Sequence, residues 1–484
     1  MVSDKKNTPR KAAPNPKANS CILGITYLMV ALFLGLAVYM GYFLQVRSED
    51  VINNSYNARL DRFSDRIVRG KIMAGDGTVL AETQVDADGN ETRVYYYGSV
   101  FDHAVGYSAK GKTGIEALAN FYLLTSHVNL LEQVGNELSG RKNPGDNVYT
   151  TLDAEVQQAA YAALGDRKGV VIAMEPDTGK VLAMVSKPGY DPNTLLQDWD
   201  WLTDGGNGEG QLLNRATQGL YPPGSTFKIV TALEYMRERP EDYRNFQFDC
   251  NGLYVNGDYQ IRCYHGNAHG HQDFTLAFAN SCNGAFASLG LELDLGRFAR
   301  TAQDVLFNSP LPLSGLPYKQ SSFAMKPGAG TWEILQTSMG QGVTQITPLH
   351  NALITAAIAN GGTLMRPYLL DHVENVGGEE IRKFLPTAHG NLMTAEEAAN
   401  LTELMRAVVT EGTASAVRTD AYTVAAKTGS AEFETGKETH AWFTGFAPAE
   451  APKIVVTVVV EEAGSGGREA APIARQLFDL YMSR

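Results

Sequence analysis

The chain has 484 residues, a formal charge of −12, and 44% hydrophobic against 19% charged residues, which is enough apolar material for two or three domains around a large core. That balance excludes the collagen-like, disordered and disulfide-scaffold classes, and the 4 cysteines are too few for a disulfide framework in this length. An acidic chain also lacks the clustered basic surface that neutralises phosphates, so nucleic acid is excluded as a partner.

In chain order, residues 1–20 are polar, basic and proline-containing and read as a tail. Cys21–Val46 follows without a single charge, long enough for a membrane-spanning helix, which needs about 20 apolar residues. A cleavable signal peptide has a shorter apolar core and a small-residue cleavage site, and neither is present. Lys5, Lys6, Arg10, Lys11 and Lys17 precede the run against one acid, Asp4. These flanks favour a membrane anchor over a buried core helix, and the positive-inside rule places the N-terminus in the cytoplasm and everything after Arg47 outside.

Residues 47–147 read as a small extracytoplasmic pedestal with strand-like pieces such as Arg93–Tyr97, closed by the linker-like Arg141–Asn147. Residues 148–484 read as the catalytic domain. Ala154–Leu164 has the pattern of an amphipathic helix. Gly169–Met174 and Lys180–Ser186 are apolar runs joined by Glu-Pro-Asp-Thr-Gly, a hairpin signal. The β-branched run Ile454–Val460 predicts a buried strand and Ala471–Met482 a closing helix. Two early strands, two or three late ones and helices between them predict an α+β domain around one antiparallel sheet.

Three short motifs carry the chemistry. S-x-x-K occurs at Ser3–Lys6, Ser139–Lys142 and Ser225–Lys228; S-x-N at Ser55–Asn57 and Ser281–Asn283; K-T-G at Lys112–Gly114 and Lys427–Gly429. The set Ser3, Ser55, Lys112 would be divided by the membrane and cannot share a site. The set Ser225, Ser281, Lys427 has the context it needs. Tyr-Pro-Pro-Gly224 places Ser225 at a helix start. Lys228 follows on the same helix face, within reach of the serine hydroxyl as a base. Ser281 and Asn283 suit a loop between two helices. Lys427-Thr428-Gly429-Ser430 reads as a strand whose glycine admits a ligand close to the backbone.

At these residues the chain resembles the serine penicillin-recognising enzymes, whose signatures these are. Tyr-Pro-Pro-Gly-Ser-Thr-Phe-Lys228, Asn-Ser-Cys-Asn283, Met-Gly-Gln-Gly-Val-Thr-Gln-Ile-Thr-Pro348 and His-Ala-Trp-Phe-Thr-Gly-Phe-Ala-Pro448 resemble the class B penicillin-binding proteins, and the short pedestal resembles their penicillin-binding protein A group. The resemblance implies a membrane-anchored D,D-transpeptidase that cross-links peptidoglycan stem peptides and is acylated by β-lactams. It implies Ser225 as nucleophile, Lys228 as general base, Ser281 as proton relay, Lys427 as the electrostatic support of that pair and Asn283 as a donor-peptide contact. Backbone N–H groups of Ser225 and Ser430 would form the oxyanion hole, and Thr428 and Ser430 would receive the terminal carboxylate. No cofactor and no metal enters that chemistry. The implied partners are the D-Ala-D-Ala donor, an amine acceptor, membrane lipid and a separate glycan polymerase of the shape, elongation, division and sporulation family.

Competing readings are weaker. A D,D-carboxypeptidase of low mass has a removed signal and a C-terminal amphipathic anchor. A class A β-lactamase needs a glutamate after S-x-N, and none stands between Leu293 and Trp332. Gly106–Thr113 matches the phosphate-cradling G-x-x-x-x-G-K-[ST] pattern, with Phe101–Val105 as a strand and Ile115–Leu123 as a helix, but no Walker B strand follows. Cys250, Cys263, His265, His269 and His271 lie within 22 residues and leave open free thiols, a Cys250–Cys263 disulfide or a metal. Cys282 reads as a packing residue, and Trp442 and Phe443 as aromatic core.

Overall fold

The computed structural model describes residues 16–43, 65–204, 209–434 and 436–484. Two units result, 1–54 and 55–484. In the first, Pro16–Tyr42 is one helix. Within it, Ile22–Tyr42 is 21 residues of mean hydropathy 2.3, about the 30 Å that a bilayer core requires. Its apolar side chains are exposed around the whole helix, Leu28, Phe33 and Val38 among them. The motif matches at Ser3 and Ser55 lie outside the described residues.

The second unit is built on a five-stranded sheet in the order Ala425–Ala431, His440–Ala447, Ile454–Val460, Gly169–Met174, Val181–Lys187, antiparallel throughout. The expected hairpin, late strand and flanking helices Ala154–Leu164 and Ala471–Met482 are all present. Neighbouring residues of a strand point to opposite faces. Phe443 packs on Phe478 of the closing helix, at 6.2 Å between ring centroids. The next residue, Thr444, bonds Thr355 of the helix Pro348–Ala359 at 2.7 Å. Helices therefore cover both faces, and the central strand Ile454–Val460 is apolar at nearly every position because neither face meets water.

A six-stranded sheet joins the strands at 72–73, 79–85, 91–95 and 147–150 with Leu370–Glu374 and Glu380–Lys383. The segment read as a linker is built into this region. Asn143–Pro144 pairs with Ile67–Val68, and Asn147–Thr150 is a sheet strand. The piece expected at Arg93–Tyr97 ends at Tyr95, because the chain turns through Gly98 at φ +50° into a short 3-10 helix. The strand expected at Phe101–Val105 is corrected here. Asp102–Val105 is a helix, not a strand, so the strand–loop–helix frame that a P-loop requires is absent at this place. Glu116, a few residues on, is fully buried between Arg69 at 2.6 Å and Arg93 at 2.8 Å and knits the region together.

Candidate active site

Proline and glycine end the incoming loop, and Gly224–Phe227 forms a 3-10 turn that leads directly into the helix Lys228–Glu238. Gly224 takes φ +54°, and a Cβ there would stand 3.0 Å from the Ala431 methyl and 3.1 Å from the Ser430 carbonyl oxygen. Only glycine allows both the turn and the close approach of the Lys427-Thr-Gly strand. Gly429 completes that fit. Its missing Cβ would lie 3.3 Å from the Ser225 nitrogen and 3.2 Å from the Trp442 Cβ. This strand is the outermost of its sheet, so part of its backbone is left unpaired beside the serine.

Lys228 is completely buried. Its amine donates to the Ser281 carbonyl oxygen at 2.6 Å, to Asn283 Oδ1 at 2.8 Å and to Ser281 Oγ at 3.2 Å. Lys427, also completely buried, donates to Ser281 Oγ at 3.0 Å and to the Thr428 carbonyl at 3.0 Å. The Ser281 hydroxyl thus sits between two lysine amines. Ser281 reaches that place from a turn between the helices Phe274–Ala279 and Asn283–Gly290, at φ +56°. A non-glycine residue held there costs about 1–3 kcal/mol. Among the described residues, Ser225 Oγ makes no hydrogen bond, and Lys228 is aimed at the Ser281–Asn283 turn; in ligand-free enzymes such contacts commonly tighten only with substrate.

Burial pushes the Lys228 amine from 10.5 down to about 8. Lys427 is pushed well below its ordinary value, by burial first and then by the charge of Lys228. Phe286 and Phe278 wall the two amines at 5.4 and 5.5 Å. Two ammonium ions sharing one hydroxyl in such surroundings repel each other, and the pair sheds a proton more readily than lysines in water.

A cavity of about 1040 Å³ opens on this arrangement, lined by Ser225, Ser281, Asn283, Thr428, Gly429 and Ser430. The structure therefore gathers every predicted site residue, with the two lysines beneath its floor. Ser139, of the remaining S-x-x-K match, ends an exposed helix and bonds its own turn. Thr413 also lines the cavity, with its Oγ1 at 2.5 Å from Thr428 Oγ1. Sequence reasoning passed over it, because Glu411-Gly-Thr-Ala414 carries no signal beyond a glycine at a helix end. Trp442 and Phe443 are wholly buried core residues.

The cysteines converge as well. Cys250 and Cys263 sulfurs are 3.6 Å apart, far beyond the bond length of about 2.05 Å for a disulfide. With His269 and Cys282 they bring four donor atoms within 4.8 Å of one another. His271 turns away to Asp249, and His265 packs on Tyr264. Cys282 is fully buried, as a packing residue would be, and its sulfur lies 3.8 Å from that of Cys263.

Residues 169–479 match the penicillin binding protein transpeptidase domain family, and residues 69–148 the penicillin binding protein A dimerisation domain family. The chain belongs to the penicillin-binding protein transpeptidases. It is 34% identical over 451 residues to the peptidoglycan D,D-transpeptidase PbpA of Mycolicibacterium smegmatis, covering 86% of this chain and 89% of that protein. The imipenem acyl-enzyme of penicillin-binding protein A from M. tuberculosis aligns with TM-score 0.78 and 32% identity, over 87% of this chain and all of the other. A D,D-transpeptidase domain from Eggerthella lenta aligns with TM-score 0.77 at 30% identity, over 86% of this chain and 99% of that domain. The fold class expected from the sequence, an α+β penicillin-recognising domain, is the one found.

Proposed function

We propose that the chain cross-links peptidoglycan through an acyl-enzyme on Ser225. The observation that carries this reading is the Ser281 hydroxyl held between two fully buried lysine amines beside the first turn of the serine helix. Ser225 Oγ attacks the carbonyl carbon of the penultimate D-alanine while its proton passes to the neutral Lys228 amine. The N–H groups of Ser225 and Ser430 stabilise the oxyanion, donors often worth about 3–4 kcal/mol each. Collapse breaks the peptide bond, and the terminal D-alanine leaves as an amine protonated through Ser281. Its carboxylate is held by Thr428 and Ser430, the donor peptide by Asn283. An acceptor amine then attacks the ester and gives up a proton, the Ser225 oxygen leaves and is reprotonated, and the new peptide bond makes the cross-link. A β-lactam enters the first half of the same sequence.

The apolar helix anchors the protein in the membrane, and in this reading the basic tail stays in the cytoplasm while the catalytic domain faces the wall. The region ahead of the transpeptidase domain matches a dimerisation domain, so glycan polymerisation falls to a separate membrane partner of the shape, elongation, division and sporulation kind. Residues 47–147 act as the pedestal and 148–484 as the catalytic domain.

Intact-mass labelling with a β-lactam is the test. The full chain should gain one drug mass, mapped to Ser225, and should release D-alanine from a stem pentapeptide in the presence of an amine. An adduct on another residue, or none, would refute the assignment.

A further inference from the structure

Three thiols and an imidazole meet beside the catalytic turn, and the established chemistry uses none of them. Cys250 ends the strand Gln247–Cys250, and Cys263 directly follows the strand Tyr259–Arg262. His269 precedes the strand Gly270–Asp273, and Cys282 caps the helix Asn283–Gly290, accepting from the Ala285 N–H at 3.5 Å. Four separate pieces of chain thus deliver one donor atom each to a single point. The measured separations are 3.6 Å for Cys250–Cys263, 3.8 Å for Cys263–Cys282 and 3.4 Å from Cys250 to His269 Nδ1. A tetrahedron around zinc, with Zn–S of about 2.3 Å and Zn–N of about 2.0 Å, has edges of about 3.5–3.8 Å.

We propose that Cys250, Cys263, His269 and Cys282 hold one zinc ion, a Cys3His site that fixes the Ser281–Asn283 turn through Cys282. Soft thiolates with one imidazole in tetrahedral disposition select zinc over the hard oxygen-seeking cations. The three thiols are buried, where a shared metal satisfies all of them at once, whereas a disulfide would use two and leave the third. Cys263 and His269 also line the substrate cavity, which gives the ion its path of entry. The site closes a loop of contacts around the turn. Asn283 Nδ2 donates to the carbonyl of Arg262, the residue before Cys263, at 3.0 Å. Ser281 itself adjoins Cys282. The metal would hold the turn in its left-handed conformation without touching substrate, so the four ligands are positioning residues.

The experiment measures metal in the full-length chain purified in detergent without chelator or added metal. One zinc per chain is expected by elemental analysis, retained in Cys21→Ser and lost in Cys250→Ser and in His269→Ala. Cobalt(II) substitution of the wild type needs no variant to fold and should give intense thiolate-to-cobalt absorption with the visible bands of a tetrahedral site. Chelation should slow β-lactam acylation roughly tenfold to a hundredfold, the scale of a small misplacement of catalytic groups, and zinc should restore it. Folded protein with reduced thiols but neither zinc nor a cobalt spectrum would overturn the proposal. So would protein isolated with a Cys250–Cys263 disulfide. The same samples separate the two readings: zinc-free protein that labels fully sinks the metal site alone, and zinc-bound protein that never labels sinks the transpeptidase alone.

Discussion

Lys228 can take a proton only while its amine is neutral, and its burial serves that end. With its value pushed down to about 8, lowering the pH protonates the base, so the acylation rate should fall tenfold per unit below about 8 and level off above it. A flat profile from pH 6 to 9 in stopped-flow labelling would show that Lys228 is not the base. Ser225→Ala should abolish labelling with the fold intact, since one hydroxyl contributes little to packing. Thr413 offers a subtler test. Its hydroxyl fixes that of Thr428, and one hydrogen bond is worth about 0.5–1.5 kcal/mol. Thr413→Val should therefore slow acylation by carboxylate-bearing β-lactams roughly twofold to tenfold, with Thr413→Ser restoring the rate. Equal slowing with ligands that lack the carboxylate would point to a purely structural role. Ser225, Lys228, Ser281 and Lys427 were legible because their motifs fix residue type and spacing. The places of Thr413 and Cys282 were not, since they are set by contacts with Thr428 and Cys263 that no motif marks.

Elements explain why the motifs work. The strand holding Lys427 must press against the turn holding Ser225, and Gly429 is where they meet. Gly429→Ala should push the strand away by a few tenths of an ångström and slow acylation strongly while Tm changes little. An unchanged acylation rate would contradict the close approach. At the other sheet, Glu116 is the carboxylate that, among the described residues, pairs with both Arg69 and Arg93 in a buried place. Burial opposes its ionisation, but the two guanidiniums win and hold its carboxyl below the ordinary value. Breaking such a pair from one side typically costs about 3–5 kcal/mol, so Glu116→Ala should lower Tm by many degrees in calorimetry. The long strands and helices could be read to within a residue, with Lys180–Ser186 found as Val181–Lys187, because their runs are long and uniformly patterned. Phe101–Val105 could not, because the five residues Phe-Asp-His-Ala-Val are too few for their pattern to separate strand from helix. The choice is made by tertiary contacts, in which the Asp102 carboxylate accepts from the His103 and Tyr190 N–H groups at 2.6 and 2.8 Å.

At the scale of the whole molecule, the reaction and the membrane have to agree. The proposed cross-linking of peptidoglycan requires the domain bearing Ser225 to lie outside, and among the described residues one helix is long and apolar enough to cross, Ile22–Tyr42. In the proposed topology the flanking charge sets the direction. Five basic residues against one acid precede the apolar run, and translocating them costs more than leaving them in the cytoplasm. The wall side also suits the fate of the acyl-enzyme. The carboxylates lining the cavity, Glu432 and Glu438, are exposed, so among its described lining residues no buried carboxylate stands ready to activate water against the ester, an aid worth about 10²–10⁴-fold where present. The β-lactam adduct should then persist for long after excess drug is removed; rapid return to the free mass would mean a hydrolase. Orientation itself is checked directly. Protease added to wall-stripped intact cells should digest the large domain and leave a fragment containing the basic tail and the helix. Digestion confined to the first 20 residues would reverse the topology and separate Ser225 from its substrate.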